Sequence, residues 1–517
     1  RSRQSCRTRG RAIPGPALSV EANRNLSKSK YLAGRQCLKR LWLTCHAPEL
    51  AAPPDAGRGA LLEDGAEIGR RAHALFPGGV LVSEDAWRHG EAIARTQALL
   101  RDPAIPAIFE AAFEHDRVRI RVDVLERLGD GAWGLREVKS GTRVKDVHLD
   151  DVAVQRYVLE GCGLRVPSVE VVLVDNTYVR GDGDIEWPRF FARWDVTRDV
   201  AARLPDVAAL VRGMHGTLAS PGAPSIEPSP HCSAPYDCEF WEHCTRDKPE
   251  DWIVLLPRLH RARLDALRAA GVERITDIPE DFPLRALQAR VREALRSGRE
   301  FVSPDLGAAL AAFGPPADYL DFETMSAAIP LYPGTRPYER LPFQWSLHRL
   351  DAAGAVSHGA FLADGRTEPR RAFAESLIAA LRGTTTPILV YSSFETGVLG
   401  ELTRVLPDLT EELEAIRGRL GDLYAIVCRH VYHRGFGFSF SLKSVAPALV
   451  PGFGYDDLEG IADGGGASRA FSRIAAGRCS SGEEARMRRQ LLAYCERDTQ
   501  ALVELHRALR RCAPAIE

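Results

Sequence analysis

The sequence lacks any apolar run near the roughly 20 residues that span a bilayer, so no membrane-crossing helix is expected. It lacks a charge surplus: 68 Lys and Arg face 69 Asp and Glu, for a net charge of -1. A nucleic-acid partner would therefore be held by local basic patches and not by the field of the whole chain. There is no GxxxxGK[ST] phosphate loop, so any strand unwinding calls for a separate helicase. No two cysteines stand at the two-to-four-residue spacing of a zinc ribbon. The opening "RSRQSCRTRGRAIPGPALSVEANRN" lacks the apolar centre of a signal peptide. Residues 1–25 are expected to be a disordered tail, the compartment cytoplasmic, and the 11 cysteines reduced or metal-bound and not disulfide-bonded.

What is present fits a globular protein of several domains: 517 residues, 45% hydrophobic and 26% charged. Three of the cysteines cluster in "HCSAPYDCEFWEHC", as Cys232, Cys238 and Cys244. Four thiolates suit an iron–sulfur cluster, which tolerates varied spacing. Cys37, in "SKSKYLAGRQCLKRLWL", is the expected fourth ligand, because Lys28, Lys30, Arg35, Lys39 and Arg40 around it would offset thiolate charge and touch phosphates. Cys45 is its rival. A structural zinc, or three cysteines buried as small hydrophobes, are the other readings. Cys162 reads as a small core residue.

Between Cys37 and the trio, "VRIRVDVLE" alternates as a half-buried strand, "GDGAW" turns, and "GLREVKS" forms a second strand. Asp123 lies on the first strand. Glu137 and Lys139, two apart, share a face of the second. Two carboxylates and a lysine can hold a divalent ion and orient water for phosphodiester hydrolysis. A helix carrying Gln155 and Tyr157 follows, and "GAEIGRRAHALF" upstream reads as a helix bearing Gly69 and His73. The order Cys37, His73, Asp123, Glu137-x-Lys139, Gln155, then three cysteines resembles the RecB-like branch of the PD-(D/E)xK nucleases, particularly CRISPR-associated and AddB-type enzymes with a 4Fe–4S cluster. The resemblance covers residues 28–248. It implies His73, Asp123 and Glu137 as metal ligands, helped by the Val138 carbonyl. Lys139 would stabilise the attacked phosphate or orient the water, and Gln155 would position the strand. The cysteine spacing is wider than that family's common pattern, and Tyr157 stands two residues after the glutamine instead of a turn.

Residues 251–312 read as helices, with "LDALRAAGVERITDIP" as a helix–turn–helix grip on a nucleic-acid backbone or a helical connector with a solvated Arg-rich face. Beyond them, "PADYLDFETMS" is a strand with Asp321 and Glu323 on one face. "PILVYSSFETGVLGEL" is a strand, turn and helix start carrying Glu395, and "RRQLLAYCERDTQALVELHRAL" is an amphipathic helix with Tyr494 and Asp498 four apart. Four carboxylates from separate elements suit two divalent metals. "DFET", "YSSFE" and "YCERD" resemble the three motifs of DnaQ-like 3′–5′ exonucleases, with Glu395 where that family has aspartate. With "FSFSLKSVAPALVPGFGYDDLEGIADGGGAS", the segment resembles a DnaQ-like domain of uncharacterised function found behind RecB-like nucleases. Ser441 and Lys443 could reach phosphates, and Asp422 could support the site. "DGGGAS" follows no strand and is not read as a phosphate loop.

The expected fold is a multidomain α/β chain: tail 1–25, a restriction-endonuclease-like core with an iron–sulfur clamp over 26–250, helices over 251–312, and an RNase H-like DnaQ-type domain over 313–517. The expected activity is that of a metal-dependent nuclease, using a 4Fe–4S cluster and Mg²⁺ or Mn²⁺, with DNA ahead of RNA as partner and no membrane. The alternative is a nucleic-acid-binding scaffold with one or both sites inactive, which Glu395 favours for the second domain.

Overall fold

In a computed structural model the described residues are 25–54 and 56–514, so the expected tail lies, apart from Asn25, outside them. The chain is mixed α/β and divides into two compact units. The first contains residues up to 54 with 65–173 and 191–246; the second contains 247–517 with the segments 55–64 and 174–190. The helical stretch 251–312 belongs to the second unit. Among the described residues, no helix is long and apolar enough to cross a membrane.

The first unit is built on β1 (Leu26–Ser27), β2 (Val80–Leu81), β3 (Ala107–His115), β4 (Val118–Arg127), β5 (Ala132–Lys139), β6 (Arg165–Val174) and β7 (Phe191–Asp195). The sheet order is β2-β3-β4-β5-β6-β7, with β1 also on β4. Along β4, Val118, Ile120, Val122 and Val124 are buried while Arg119, Arg121 and Asp123 point the other way, as period-two alternation requires. Helices α1 (Lys28–Gln36), α2 (Leu38–His46), α3 (Asp146–Gly161) and α4 (Thr197–Ala219) accompany the sheet. Val152, Val158 and Leu159 of α3 and Val207, Val211 and Met214 of α4 join Val118, Ile120 and Val122 of β4 in one core. Each such fully buried side chain stabilises the unit by roughly 1.5–3 kcal/mol.

One detail of the sheet positions a site. β1 pairs with residues 118–119 of β4, and β5 pairs with residues 124–127. The two partners therefore follow one another along β4 and leave Asp123 at the break between them.

The second unit contains α5 (Arg261–Ala269), α6 (Ala286–Ser297) and strands β8 (Phe301–Val302), β9 (Ala317–Met325), β10 (Leu341–Leu350), β11 (Val356–Leu362), β12 (Ile388–Val390), β13 (Leu420–Asp422) and β14 (Val431–Tyr432). The main sheet runs β11-β10-β9-β12-β13, antiparallel from β11 to β9 and parallel from β9 to β13. β8 and β14 form a separate pair. The expected helix–turn–helix is only partly formed. After α5, Ile275–Asp277 makes a single 3-10 turn, and Ile278 is extended (ψ 123°). Pro279 explains this: it lacks an N–H and disfavours helical backbone in the residue before it.

The two faces of β9 are sorted by alternation. Leu320 and Phe322 pack with Phe373, Leu377 and Val398. Met325, on the other face, packs with Phe343, Phe471, Leu491 and Tyr494. That face also carries Asp321 and Glu323, and it lies against α8 (Gly464–Ala475) and α9 (Ser481–Cys512). A capping box starts α9: Glu483 N–H donates to Ser480 Oγ (3.4 Å), and Ser480 N–H donates to Glu483 Oε2 (2.9 Å).

Candidate functional site

In the first unit, the break beside β4 gathers charge. Asp123 Oδ2 accepts from the Val138 N–H at 2.8 Å, so Val138 also orients Asp123 through its amide. Lys139 Nζ donates to Glu137 Oε1 and to Asp151 Oδ2, both at 2.7 Å. Gln155, one turn after Asp151 on α3, donates to Glu137 Oε2 at 2.8 Å and to Asp151 Oδ1 at 3.1 Å. Lys28, the first residue of α1, donates to Glu137 Oε1 at 3.0 Å and lies 3.6 Å from Asp123. It reaches this position because β1, which precedes it, ends at the break.

Burial pushes the Asp123 carboxyl up to about 7, with Glu137 as the next cause. Burial acts on Glu137 in the same direction, but Lys139 and Lys28 outweigh it and hold Glu137 below the usual carboxylate range. Glu110 faces Asp123 from β3, where the pairing skips from Phe109↔Val124 to Ala111↔Val122. Glu110 has φ 55°, a left-handed backbone that glutamate rarely adopts and that carries strain of order 1–3 kcal/mol.

His73 stands apart from this group. It lies just beyond the helix Ala56–Ala72, its ring stacked on Phe109 at 3.8 Å, and burial and Arg70 lower its pKa. Tyr157 is turned away and bonds Asp116. Lys28, Glu110 and Asp151 were not anticipated. In sequence Lys28 is one of the bases near Cys37, and nothing in the spacing of Glu110 on β3 or of Asp151 on α3 announces a place in this group.

In the same unit, Cys37, Cys232, Cys238 and Cys244 line one small cavity with Leu43 and Phe240. Cys45 is not among its lining; it is buried beside Lys30. Among the described residues, no three of the four sulfurs lie within 4.8 Å of one another. Burial pushes the Cys238 thiol up to about 11, so a thiolate there needs compensating positive charge. Lys39 lies beside Cys232 and Cys244.

In the second unit, Asp321 and Glu323 of β9, Glu395 and Asp498 converge. Burial raises all four carboxyls above their usual range, and the acids raise one another: Asp498 acts on Asp321, and Asp321 acts on Glu323 and Glu395. Among the described residues, Glu395 Oε2 and Asp498 Oδ1 are buried without a hydrogen-bond partner, and one ligand atom each of Asp321, Glu323 and Cys495 lies within 4.8 Å of the other two. Buried polar atoms are ordinarily bonded, so an orphaned carboxylate oxygen on each of two of these acids is what a divalent ion would satisfy.

Each acid has a local reason to be there. Glu395 opens α7 (Phe394–Val405) after a turn in which Ser392 has φ 107°. Asp422 holds that turn, accepting from Ser392 N–H at 2.9 Å and from Tyr424 N–H at 2.8 Å. Asp498 and Tyr494 share a face of α9, and the Tyr494 ring and the Tyr455 phenol lie beside Asp498. Lys443 Nζ sits 4.6 Å from the centre of the Tyr494 ring, whereas the Ser441 hydroxyl is taken up by Ser439 and Ser444. "DGGGAS" begins α8: Asp463 accepts from Gly466 N–H at 2.6 Å, and a Cβ on Gly464 would stand 3.7 Å from Glu323. Cys495, on α9, donates to Asp321 Oδ2 at 3.3 Å.

Residues 318–441 match a family model described as a domain of unknown function, DUF2779. The match takes in Asp321, Glu323, Glu395 and Asp422 and ends before Tyr494 and Asp498. No curated protein matches this chain.

Proposed function

We propose that the protein is a metal-dependent nuclease acting on DNA, with a DnaQ-like 3′–5′ exonuclease centre in its second unit and a RecB-like PD-(D/E)xK centre, stapled by a 4Fe–4S cluster, in its first. The convergence of Asp321, Glu323, Glu395 and Asp498, with two orphaned oxygens, carries this reading. The strand order β11-β10-β9-β12-β13, with β9 central, suits an RNase H-like domain. Glu395 is one methylene longer than aspartate and compensates by starting from the helix end after a strained turn.

Asp321, Glu323, Glu395 and Asp498 would hold Mg²⁺ or Mn²⁺, whose charge supports in-line displacement at phosphorus when bound. Tyr494 would orient the attacking water beside Asp498. Lys443 would meet a phosphate oxygen. In the first unit Asp123 and Glu137 would be the metal ligands, with Glu110 facing them, and Gln155 would keep Glu137 in place. Lys139 would face the phosphate.

Four cysteines around one cavity suit a 4Fe–4S cluster or a structural zinc, and colour separates the two. Brown protein absorbing near 400 nm is the expected readout, and colourless protein carrying zinc overturns this part.

The scaffold reading has one observation behind it in the first unit: Lys28 already neutralises Glu137 and Asp123. The deciding experiment is hydrolysis of labelled single-stranded and duplex DNA with Mg²⁺ or Mn²⁺, by wild type, Asp123→Ala, Asp321→Asn and the double variant. Loss of 3′ trimming with Asp321→Asn and of the remaining cleavage with Asp123→Ala is expected. Equal rates in all four proteins would leave a nucleic-acid-binding scaffold.

A further inference from the structure

His348 and His358 face each other directly across the antiparallel pair β10–β11, their rings 4.5 Å apart. Glu496 reaches them from α9, with its Oε1 3.6 Å from His358 Nδ1. One ligand atom from each of the three residues lies within 4.8 Å of the other two. None of the three belongs to the carboxylate cluster described above.

The hydroxyls behind them orient the rings. Thr499 Oγ1 lies 3.0 Å from the Glu496 carbonyl, 3.4 Å from the Cys495 carbonyl, 2.8 Å from His348 Nδ1 and 2.7 Å from Ser346 Oγ, and Ser346 Oγ lies 2.9 Å from His358 Nε2. One nitrogen of each ring is thus engaged by a hydroxyl, which leaves His348 Nε2 and His358 Nδ1 for a cation, the second beside the Glu496 carboxylate. An imidazole held by a hydrogen bond at one nitrogen, with the other left for a cation, is how histidine is prepared as a metal ligand.

We propose that His348, His358 and Glu496 bind one divalent transition-metal ion of the zinc class. Two imidazoles and one carboxylate suit such borderline ions, whereas Mg²⁺ prefers oxygen ligands and near-octahedral geometry. His348 is buried, while the side chains of His358 and Glu496 are 26% and 51% exposed, so the ion enters from solvent and keeps an open coordination position. It ties the β10–β11 hairpin to α9.

Co²⁺ is the probe. The full-length protein is titrated with Co²⁺ in excess Mg²⁺, and visible d–d absorption is read; Co²⁺ on the cysteines is told apart by its sulfur charge-transfer band. The expected result is about one equivalent of nitrogen- and oxygen-ligated Co²⁺, with His358→Ala and the conservative Glu496→Gln each weakening binding at least about tenfold. His433→Ala, which removes another His–Glu pair with Glu300, should titrate like wild type. The proposal is overturned if wild type shows no such band, as a bare His358–Glu496 ion pair would, or if Glu496→Gln and His358→Ala both titrate like wild type.

Discussion

The two carboxylate groups solve the same electrostatic problem in opposite ways. In the first unit Asp123, Glu137 and Asp151 are matched by two lysines, Lys28 and Lys139, that bond them at 2.7–3.6 Å. In the second, one ammonium, Lys443, serves Asp321, Glu323 and Asp498, and two oxygens have no partner among the described residues. The first group is thus stable without an added ion. The second must either protonate, losing charge, or keep its charges against a bound cation. The same residue chemistry can be a self-neutralised network or a receptor, and the number of lysines within reach decides which.

The comparison breaks most sharply at Lys28. Lys28→Met leaves Glu137 and Asp123 with one lysine, and urea unfolding in chelator should show a loss of about 3 kcal/mol. Added Mn²⁺ should restore much of it, so that the first unit comes to behave like the second. An unchanged unfolding midpoint would mean that Lys28 is not the internal counter-ion. Next, Asp321→Asn is expected to lower metal-dependent 3′ trimming about 100-fold or more, measured against Asp123→Ala, which should leave that trimming intact.

A smaller effect concerns metal and heat. Saturating Mn²⁺ should stabilise wild type by about 2 kcal/mol, as binding at tens of times Kd would. Asp321→Asn should remove most of that gain and Asp123→Asn little, since Lys28 and Lys139 already serve Asp123. Equal losses would erase the contrast between the sites.

The smallest effect lies in the second unit at His506, which bonds the Tyr319 hydroxyl at 2.8 Å and whose pKa burial lowers to about 4. The folded pKa lies below the unfolded value near 6.5, so the unfolded chain binds more protons between them. Stability is therefore full above about pH 6.5 and falls as pH drops toward 4. From pH 7 to 5 this group should account for about 1–2 kcal/mol, which His506→Leu should remove from the pH dependence of urea unfolding.

Much of this was legible in the sequence because it is local. Strand alternation put Glu137 with Lys139 and Asp321 with Glu323 on shared faces, and helical spacing did so for Tyr494 and Asp498; the described strands and α9 agree. The rest depended on distant pairing. His73 had a motif position but follows its helix into a turn against Phe109. The second helix expected in "LDALRAAGVERITDIP" ended as one 3-10 turn before Pro279, a stop that local chemistry could have indicated.

By itself, then, the sequence determined which acids come in pairs and that Cys232, Cys238 and Cys244 belong together, since both depend on neighbours a few positions apart. Only the tertiary structure decided that Lys28 enters the break between β1 and β5, that Glu110 faces Asp123 from a left-handed backbone, and that His348, His358 and Glu496 meet. The reason is physical. Side-chain direction along one element follows from its own period, but which elements become neighbours is set by sheet register and by packing across many residues, and a single-residue shift in register sends every side chain to the opposite face.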